Sequence, residues 1–375
     1  VAKRKRKDIG DWDDIQIAPG ERADLEIHAS QRVDGVDAHI PAHVWRATEA
    51  GPTVFITAAI HGDEINGTGT LRELISEPPF ELKAGALLLV PVVNMAGFER
   101  HTRYFPDRRD LNRSFPGTRE GSMTSRMAGV VLREIVGRSD FGIDLHTAAV
   151  RRTNVPNVRG DLDNPEVKRL ARAFGTELVM HTPGAEGSLR RTATDLGCPT
   201  IILEAGEALK VEPTVVETAL RGIKNVLIEL GMVDGERVRP HYRAIIRRTR
   251  WIRAEYGGFL RFHATPGSLV QKGEVLASNT TLLGEEQGTL ISPDNGVLLG
   301  MTTHPMVVPG DAVYHLGLVD QPFERFEKVV DQLPESSLHE RVREDLSTSV
   351  IVEDYVDISE EIDGDEGLRA DSDTE

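Results

Sequence analysis

Two histidines and a glutamate in this chain have the spacing to hold a divalent ion. His61 and Glu64 lie in Ala59-Ile60-His61-Gly62-Asp63-Glu64, where an apolar run ends and helical sequence begins. Functional groups of open α/β sheets gather at the carboxyl ends of strands, and a separation of three residues puts imidazole and carboxylate on one side of a first helical turn. His146 closes a second apolar run, Phe141-Gly142-Ile143-Asp144-Leu145-His146, and would complete a two-His, one-Glu set with a coordination position open for water. Asp144 is placed to fix the tautomer of a ligand histidine. Taken singly, the His-x-x-Glu pair also suits a satisfied polar pair at a helix start, and His146 the cap of a strand.

Glu204 ends the apolar stretch 200–203 and is followed by Ala205 and Gly206. A carboxylate there is costly unless used or paired. It suits a general base that takes a proton from metal-activated water and passes it to a leaving amine, or else a structural ion pair. Arginines cluster in Arg100-His101-Thr102-Arg103-Tyr104 and in Arg109-Asp110-Leu111-Asn112-Arg113. Guanidinium forks bind carboxylates in pairs of hydrogen bonds and stabilise an oxyanion beside a metal, so they suggest an anionic substrate, with solvated loop arginines as the alternative. The segment 147–159 follows His146 directly. Its Arg152 or Arg159 could read a second anionic group, or the segment is a solvated loop.

The elements that must position these groups read as alternating strands and helices. Short apolar runs at 53–60, 86–93, 141–145, 177–180 and 200–203 are expected as strands buried on both faces. Helical stretches lie at 67–75, 123–136, 165–174 and 213–230, with Pro165 and Pro213 suited to first turns. The stretch 38–45 reads as an edge strand interrupted by Pro41. This is an α/β pattern with a largely parallel or mixed sheet, reaching to about residue 235. From about 240, glycines punctuate short β-like pieces, and 265–276 echoes 305–314, as expected of a small all-β domain. Its His263, His304 and His315 read as structural. The expected division is an arm with edge strands over 1–44, a catalytic domain over 45–238, a β domain over 239–320 and an acidic, partly disordered tail over 321–375.

Composition excludes several classes. Cys198 is the single cysteine, so neither an intrachain disulfide framework nor a cysteine zinc knuckle is available, and any metal must be held by His and carboxylate. The net charge of −16 argues against nucleic acid as a partner, and the basic pentamer 3–7 reads as a solvated arm. No apolar run reaches the roughly 18 residues of a membrane span. Asp8, Asp11, Asp13 and Asp14 follow the basic start in place of an apolar segment, so no secretory signal is read and a cytoplasmic address is expected. Neither Gly-x-Ser-x-Gly nor a Gly-rich phosphate loop is present.

Taken in order, His61-Gly62-Asp63-Glu64, Asn94-Met95-Ala96 with a following arginine, Asp110-Leu111-Asn112-Arg113, Asp144-Leu145-His146 and the late strand-end Glu204 resemble the succinylglutamate desuccinylase and aspartoacylase family, itself related to zinc carboxypeptidases, over about residues 45–320. Met95 stands where that family usually has proline, at a position that is no ligand. The resemblance implies a zinc-carboxypeptidase-like mixed sheet flanked by helices, followed by a small barrel or sandwich. That smaller part also resembles biotinyl and lipoyl carrier modules, without their modified lysine. The resemblance further implies one zinc per chain on His61, Glu64 and His146, Glu204 as acid/base, Arg103 polarising the scissile carbonyl, and Asn112 with Arg113 gripping a substrate carboxylate. The expected activity is hydrolysis of the amide of an N-acyl amino acid or a related small carboxylate. A metallocarboxypeptidase acting on peptides is the alternative, and a binding protein that kept the fold without catalysis is another. No nucleic-acid or membrane partner is expected, and a homo-oligomer is compatible with the resemblance.

Overall fold

The computed structural model describes residues 6–12, 15–31, 33–319 and 338–347, with positions 323, 328, 350–353 and 355. Its strands are β1 (Asp11–Trp12), β2 (Ile15–Gln16), β3 (Arg22–Gln31), β4 (Asp37–Arg46), β5 (Glu49–Ala58), β6 (Ala84–Val90), β7 (Phe141–His146), β8 (Arg152–Gly160), β9 (Leu178–His181) and β10 (Thr200–Glu207). After these come β11 (Ala244–Arg253), β12 (Gly258–Phe262), β13 (Leu269–Val270), β14 (Val275–Thr280), β15 (Glu286–Ile291), β16 (Gly296–Thr302), β17 (Met306–Val307) and β18 (Ala312–Val319). The helices are α1 (Asn66–Ser76), α2 (Met95–Phe98), α3 (Met123–Val130), α4 (Pro165–Phe174), α5 (Leu189–Asp195), α6 (Pro213–Glu229) and α7 (Leu338–Ser347).

Among the described residues, twelve strands form one mixed sheet in the order β13-β16-β18-β11-β9-β8-β10-β7-β5-β6-β4-β3. Its centre is parallel from β6 through β5 and β7 to β10, as the unbroken apolar runs lead one to expect. Successive residues of these strands feed opposite faces. Val54 and Ile56 pack with Leu71 of α1, Leu170 of α4 and Ile223 of α6, while Phe55 packs with Val131, Ile135 and Leu189 on the other side. Pro165 and Pro213 each open a helix, and Asn164 caps α4 by accepting from the backbone N–H of Glu166 and Val167.

Strands after residue 240 continue the central sheet. β11 runs parallel to β9, β18 and β16 follow antiparallel, and β16 pairs back onto β8, closing a five-strand ring of β8, β9, β11, β18 and β16. Val155, Leu178, Ile246, Val297 and Leu299 form one apolar cluster within these strands. A separate antiparallel sheet of β15, β14, β12 and β17 packs beside it. The architecture is therefore the expected mixed α/β sheet flanked by helices, followed by a small β sheet.

Three local readings are corrected. The stretch 38–45 is no edge strand, since β4 lies between β3 and β6. Pro41 is tolerated because β6 pairs with β4 only at 43–46, leaving Pro41 paired on one side only. The segment after His146 is no loop beyond Arg151, because β8 sits between β9 and β10. The helix expected over 123–136 holds α geometry to Val130, then widens into a π turn at 131–135 and tightens into a 3-10 turn at 136–138. Positions 3–5 of the basic pentamer lie outside the described residues. Arg6 pairs with Asp140, and Lys7 Nζ lies 2.8 Å from Glu134. Most of the acidic tail also lies outside them, although Arg341 of α7 lies 2.6 Å from Glu217 on α6. No helix among the described residues is long and apolar enough to cross a membrane.

Candidate metal centre and substrate cleft

The turn that carries His61 and Glu64 lies just before helix α1, which begins at Asn66, and not within its first turn. The Glu64 N–H donates to the His61 carbonyl at 3.1 Å and closes the turn. Gly62 is required there, because a Cβ on it would stand 2.1 Å from the carbonyl carbon of Gly97 and 2.2 Å from the Phe98 nitrogen. His146 ends β7, and the parallel register of β7 and β10 sets Glu204 directly beside it.

His61 Nδ1 lies 2.7 Å from Glu64 Oε1, and His146 Nδ1 lies 2.8 Å from Glu64 Oε2. The opposite ring nitrogens face aspartates: His61 Nε2 is 3.2 Å from Asp110 Oδ1, and His146 Nε2 is 2.7 Å from Asp144 Oδ2. Thr57 Oγ1 in turn donates to Asp144 Oδ1 at 2.7 Å. Each imidazole thus turns one nitrogen to Glu64 and has the other fixed by a carboxylate, the pattern of metal-ligating histidines. The three ligand atoms lie within 4.8 Å of one another and all three residues are buried, so the donor set fits a divalent ion. Burial alone would raise the Glu64 carboxyl, but His61 and His146 hold it well below the ordinary range. Burial would likewise lower both imidazoles, and the facing carboxylates raise them instead, His146 through Asp144 and Glu64 most of all.

Around this centre the chain gathers the residues expected to bind metal or substrate or to move the proton. His61, Glu64, Arg103, Asn112, Arg113, His146, Arg152, Arg159 and Glu204 all line one cleft of about 360 Å³. Arg103 donates to Glu64 Oε1 at 2.9 Å and to Asp110 Oδ2 at 3.2 Å. Its backbone is tied down by Asn94, whose side-chain amide reaches the Arg103 carbonyl at 3.3 Å. Asn112 and Arg113 sit in a single 3-10 turn opened by Asp110. The Asn112 side-chain oxygen accepts from the Leu189 N–H at 2.9 Å, anchoring that turn to α5. Glu204 accepts from Asn154 at 3.2 Å, and Arg159 lies 3.3 Å from its other oxygen.

Other residues at or behind the cleft had no catalytic or binding role read from the sequence. Asp110 backs His61 from 49 residues away. Arg190 reaches the cleft from α5, and Trp251 of β11 stacks on His315 of β18 with centroids 4.3 Å apart and Arg152 over the indole at 4.9 Å. His315, expected as structural, therefore lines the cleft. Burial, then Arg159 and Arg152, push its pKa down to about 4. The cross-strand pairing of Trp251 with His315 is tertiary, and no local motif announces it.

A sequence model of the succinylglutamate desuccinylase/aspartoacylase catalytic domain matches residues 50–230. The chain is also 31% identical over 250 residues to N-alpha-acetyl-L-2,4-diaminobutyric acid deacetylase of Halomonas elongata, covering 64% of this chain and 73% of that one. The chain belongs to the succinylglutamate desuccinylase/aspartoacylase family. Solved structures agree in fold. A succinylglutamate desuccinylase/aspartoacylase from Rhodobacter sphaeroides superposes with a TM-score of 0.70 at 24% identity, covering 80% of this chain and 96% of that one. The product-bound ectoine utilization protein EutE (DoeB) from Ruegeria pomeroyi gives a TM-score of 0.70 at 24% identity, covering 81% and 97%. As a member of this family the chain is a hydrolase acting on the amide of N-acyl amino acids, and His61, Glu64 and His146 form a buried set that could hold a metal ion.

Proposed function

We propose that this enzyme is a zinc-dependent deacylase whose substrate is an N-acyl amino acid bearing a second anionic group. The observation that carries the reading is the gathering, in one cleft of about 360 Å³, of a two-His, one-Glu set, a strand-borne carboxylate beside it and five arginines. That volume suits a small molecule. His61, Glu64 and His146 would hold the ion, and zinc bound there would polarise the amide carbonyl and bring the pKa of a water to about 7. The Glu204 carboxylate takes the proton of the attacking water and delivers it to the amide nitrogen as the C–N bond breaks. Arg103, fixed by Glu64 and Asp110, faces the charge that develops on the carbonyl oxygen. Asn112 and Arg113 hold the substrate carboxylate and so set the position of the scissile bond.

Arg152 and Arg159 are assigned to the second anionic group. The cleft lining of Arg103, Arg113, Arg152, Arg159 and Arg190 is strongly cationic. The Halomonas elongata relative is named for a diaminobutyric acid, whose side chain carries an amine. An ammonium group in the present cleft would meet like charge, whereas a carboxylate would find guanidinium forks.

The test is a panel of N-acetyl and N-succinyl derivatives of acidic, neutral and basic amino acids, alongside short peptides. The acidic derivatives should be hydrolysed with the highest kcat/KM. Arg152→Gln should cut that preference by about tenfold or more, the worth of one charge-assisted hydrogen bond. Release of C-terminal residues from the peptides with every N-acyl amino acid left intact would overturn the reading.

A further inference from the structure

A second cationic pocket lies outside the cleft. Arg172, Arg237, Arg239 and Arg243 line a cavity of about 260 Å³ together with Val238, and none of the metal-centre or cleft residues contributes to it. The four guanidinium groups come from three places in the chain: the last turn of α4, the segment 237–240 before β11, and the residue at the mouth of β11.

These pieces are held by buried Asn225 of α6. Its side-chain amide donates to the Val238 carbonyl at 2.9 Å and to the Phe174 carbonyl at 3.2 Å, while its oxygen accepts from the Val238 N–H at 2.9 Å. One side chain thus pins the segment bearing Arg237 and Arg239 against the end of the helix bearing Arg172. Arg243 donates to the Arg172 carbonyl at 2.8 Å, and its Nε is buried with no hydrogen-bond partner. Burial, then the charges of Arg172, Arg237 and Arg239, lower the Arg243 pKa. Arg237 is neutralised by Glu229 at 2.5 Å, but among the described residues no carboxylate pairs with Arg172, Arg239 or Arg243.

Cations at a helix C-terminus are ordinary, since they meet the last carbonyls and the negative end of the dipole. That accounts for Arg243 and Arg172. Glu229 accounts for Arg237, but nothing accounts for Arg239, or for a scaffold that gathers three guanidinium groups without a carboxylate partner among the described residues, beside the paired Arg237, around one cavity in a protein of net charge −16. Like charges at such a spacing repel, and a multivalent anion relieves that repulsion while satisfying forked N–H donors.

We propose that the pocket formed by Arg172, Arg237, Arg239 and Arg243 binds a small multivalent oxyanion, of phosphate or polycarboxylate chemistry, at a site separate from the catalytic cleft. The probe is inorganic phosphate, titrated calorimetrically into the full chain at low ionic strength with chloride as the other anion. The parent should bind with a dissociation constant of about 1 mM or tighter. Arg172→Gln combined with Arg239→Gln should weaken that binding at least about tenfold, the loss expected for removing charge-assisted contacts. Both side chains are exposed, so amide hydrolysis by the double variant should match the parent and serves as the check on folding. Arg113→Gln, in the cleft, should leave the phosphate isotherm unchanged. Binding equal to the parent in the double variant, binding abolished by Arg113→Gln, or no binding by the parent would each overturn the proposal.

Discussion

Replacing Asp144 with asparagine removes a charge and leaves the shape, which isolates what the carboxylate behind His146 contributes. Asp144 is fully buried, 2.7 Å from His146 Nε2 and 2.7 Å from Thr57 Oγ1. An asparagine can turn its oxygen to the His146 N–H and its amide to the Thr57 hydroxyl, so the imidazole can keep its orientation. What it loses is the negative charge that favours a proton on Nε2 and leaves Nδ1, the nitrogen facing Glu64, free for the ion. Partners of this kind typically contribute about 10- to 100-fold in metal affinity, or about 1.4–2.7 kcal/mol. Competition for zinc against a chromogenic chelator measures the change directly. The dissociation constant should rise by that factor, and urea denaturation of the metal-free chain shows whether folding is affected separately. An affinity within about twofold of the parent, with the fold intact, would refute the assignment of His146 Nδ1 as the ligand atom.

Three further outcomes follow from the structure. Gly62→Ala drives a Cβ into the Gly97 and Phe98 backbone, so the turn must move; it should cost about 1–3 kcal/mol in urea denaturation and weaken zinc binding, and unchanged values in both would contradict the packing described. His315 has its folded pKa lowered to about 4, below the ordinary value near 6.5, so between those limits the unfolded chain binds the extra proton. Stability should therefore fall as pH drops from about 6.5 to about 4, by up to about 3 kcal/mol from this residue, and His315→Gln should flatten that slope in denaturant titrations at paired pH values. Asn154→Ala frees one oxygen of Glu204 and should lower kcat with little change in KM; a change confined to KM would place Asn154 in substrate binding instead.

The two histidines of the candidate metal centre were legible because each follows an apolar run buried on both faces, with Glu64 three residues beyond the first, and strands of that kind are visible in sequence. β8 was hidden for the opposite reason. Its Asn154, Asn157 and Arg159 face the cleft or Glu204, and Pro156 interrupts it, so the stretch reads as a polar loop until β9 and β10 are seen on either side. Arg152 and Arg159 were consequently found without the element that aims them. Asp110 lay in plain view within Asp-Leu-Asn-Arg, but its contact with His61 depends on how the loop after α2 returns to the sheet. Trp251 and His315 reach the cleft only because β11 and β18 join the central sheet, a pairing between distant segments that no local pattern encodes.

Glu204 bears the central claim, since it is the group assigned to move the proton in the cleft. The most direct measurement is amide hydrolysis by Glu204→Gln, an isosteric change that keeps a hydrogen-bond partner for Asn154 and leaves His61, Glu64 and His146 intact. With zinc content equal to the parent, kcat should fall by about 10²- to 10⁴-fold, the usual contribution of a positioned acid/base. A kcat within a few-fold of the parent at equal zinc content would contradict the account.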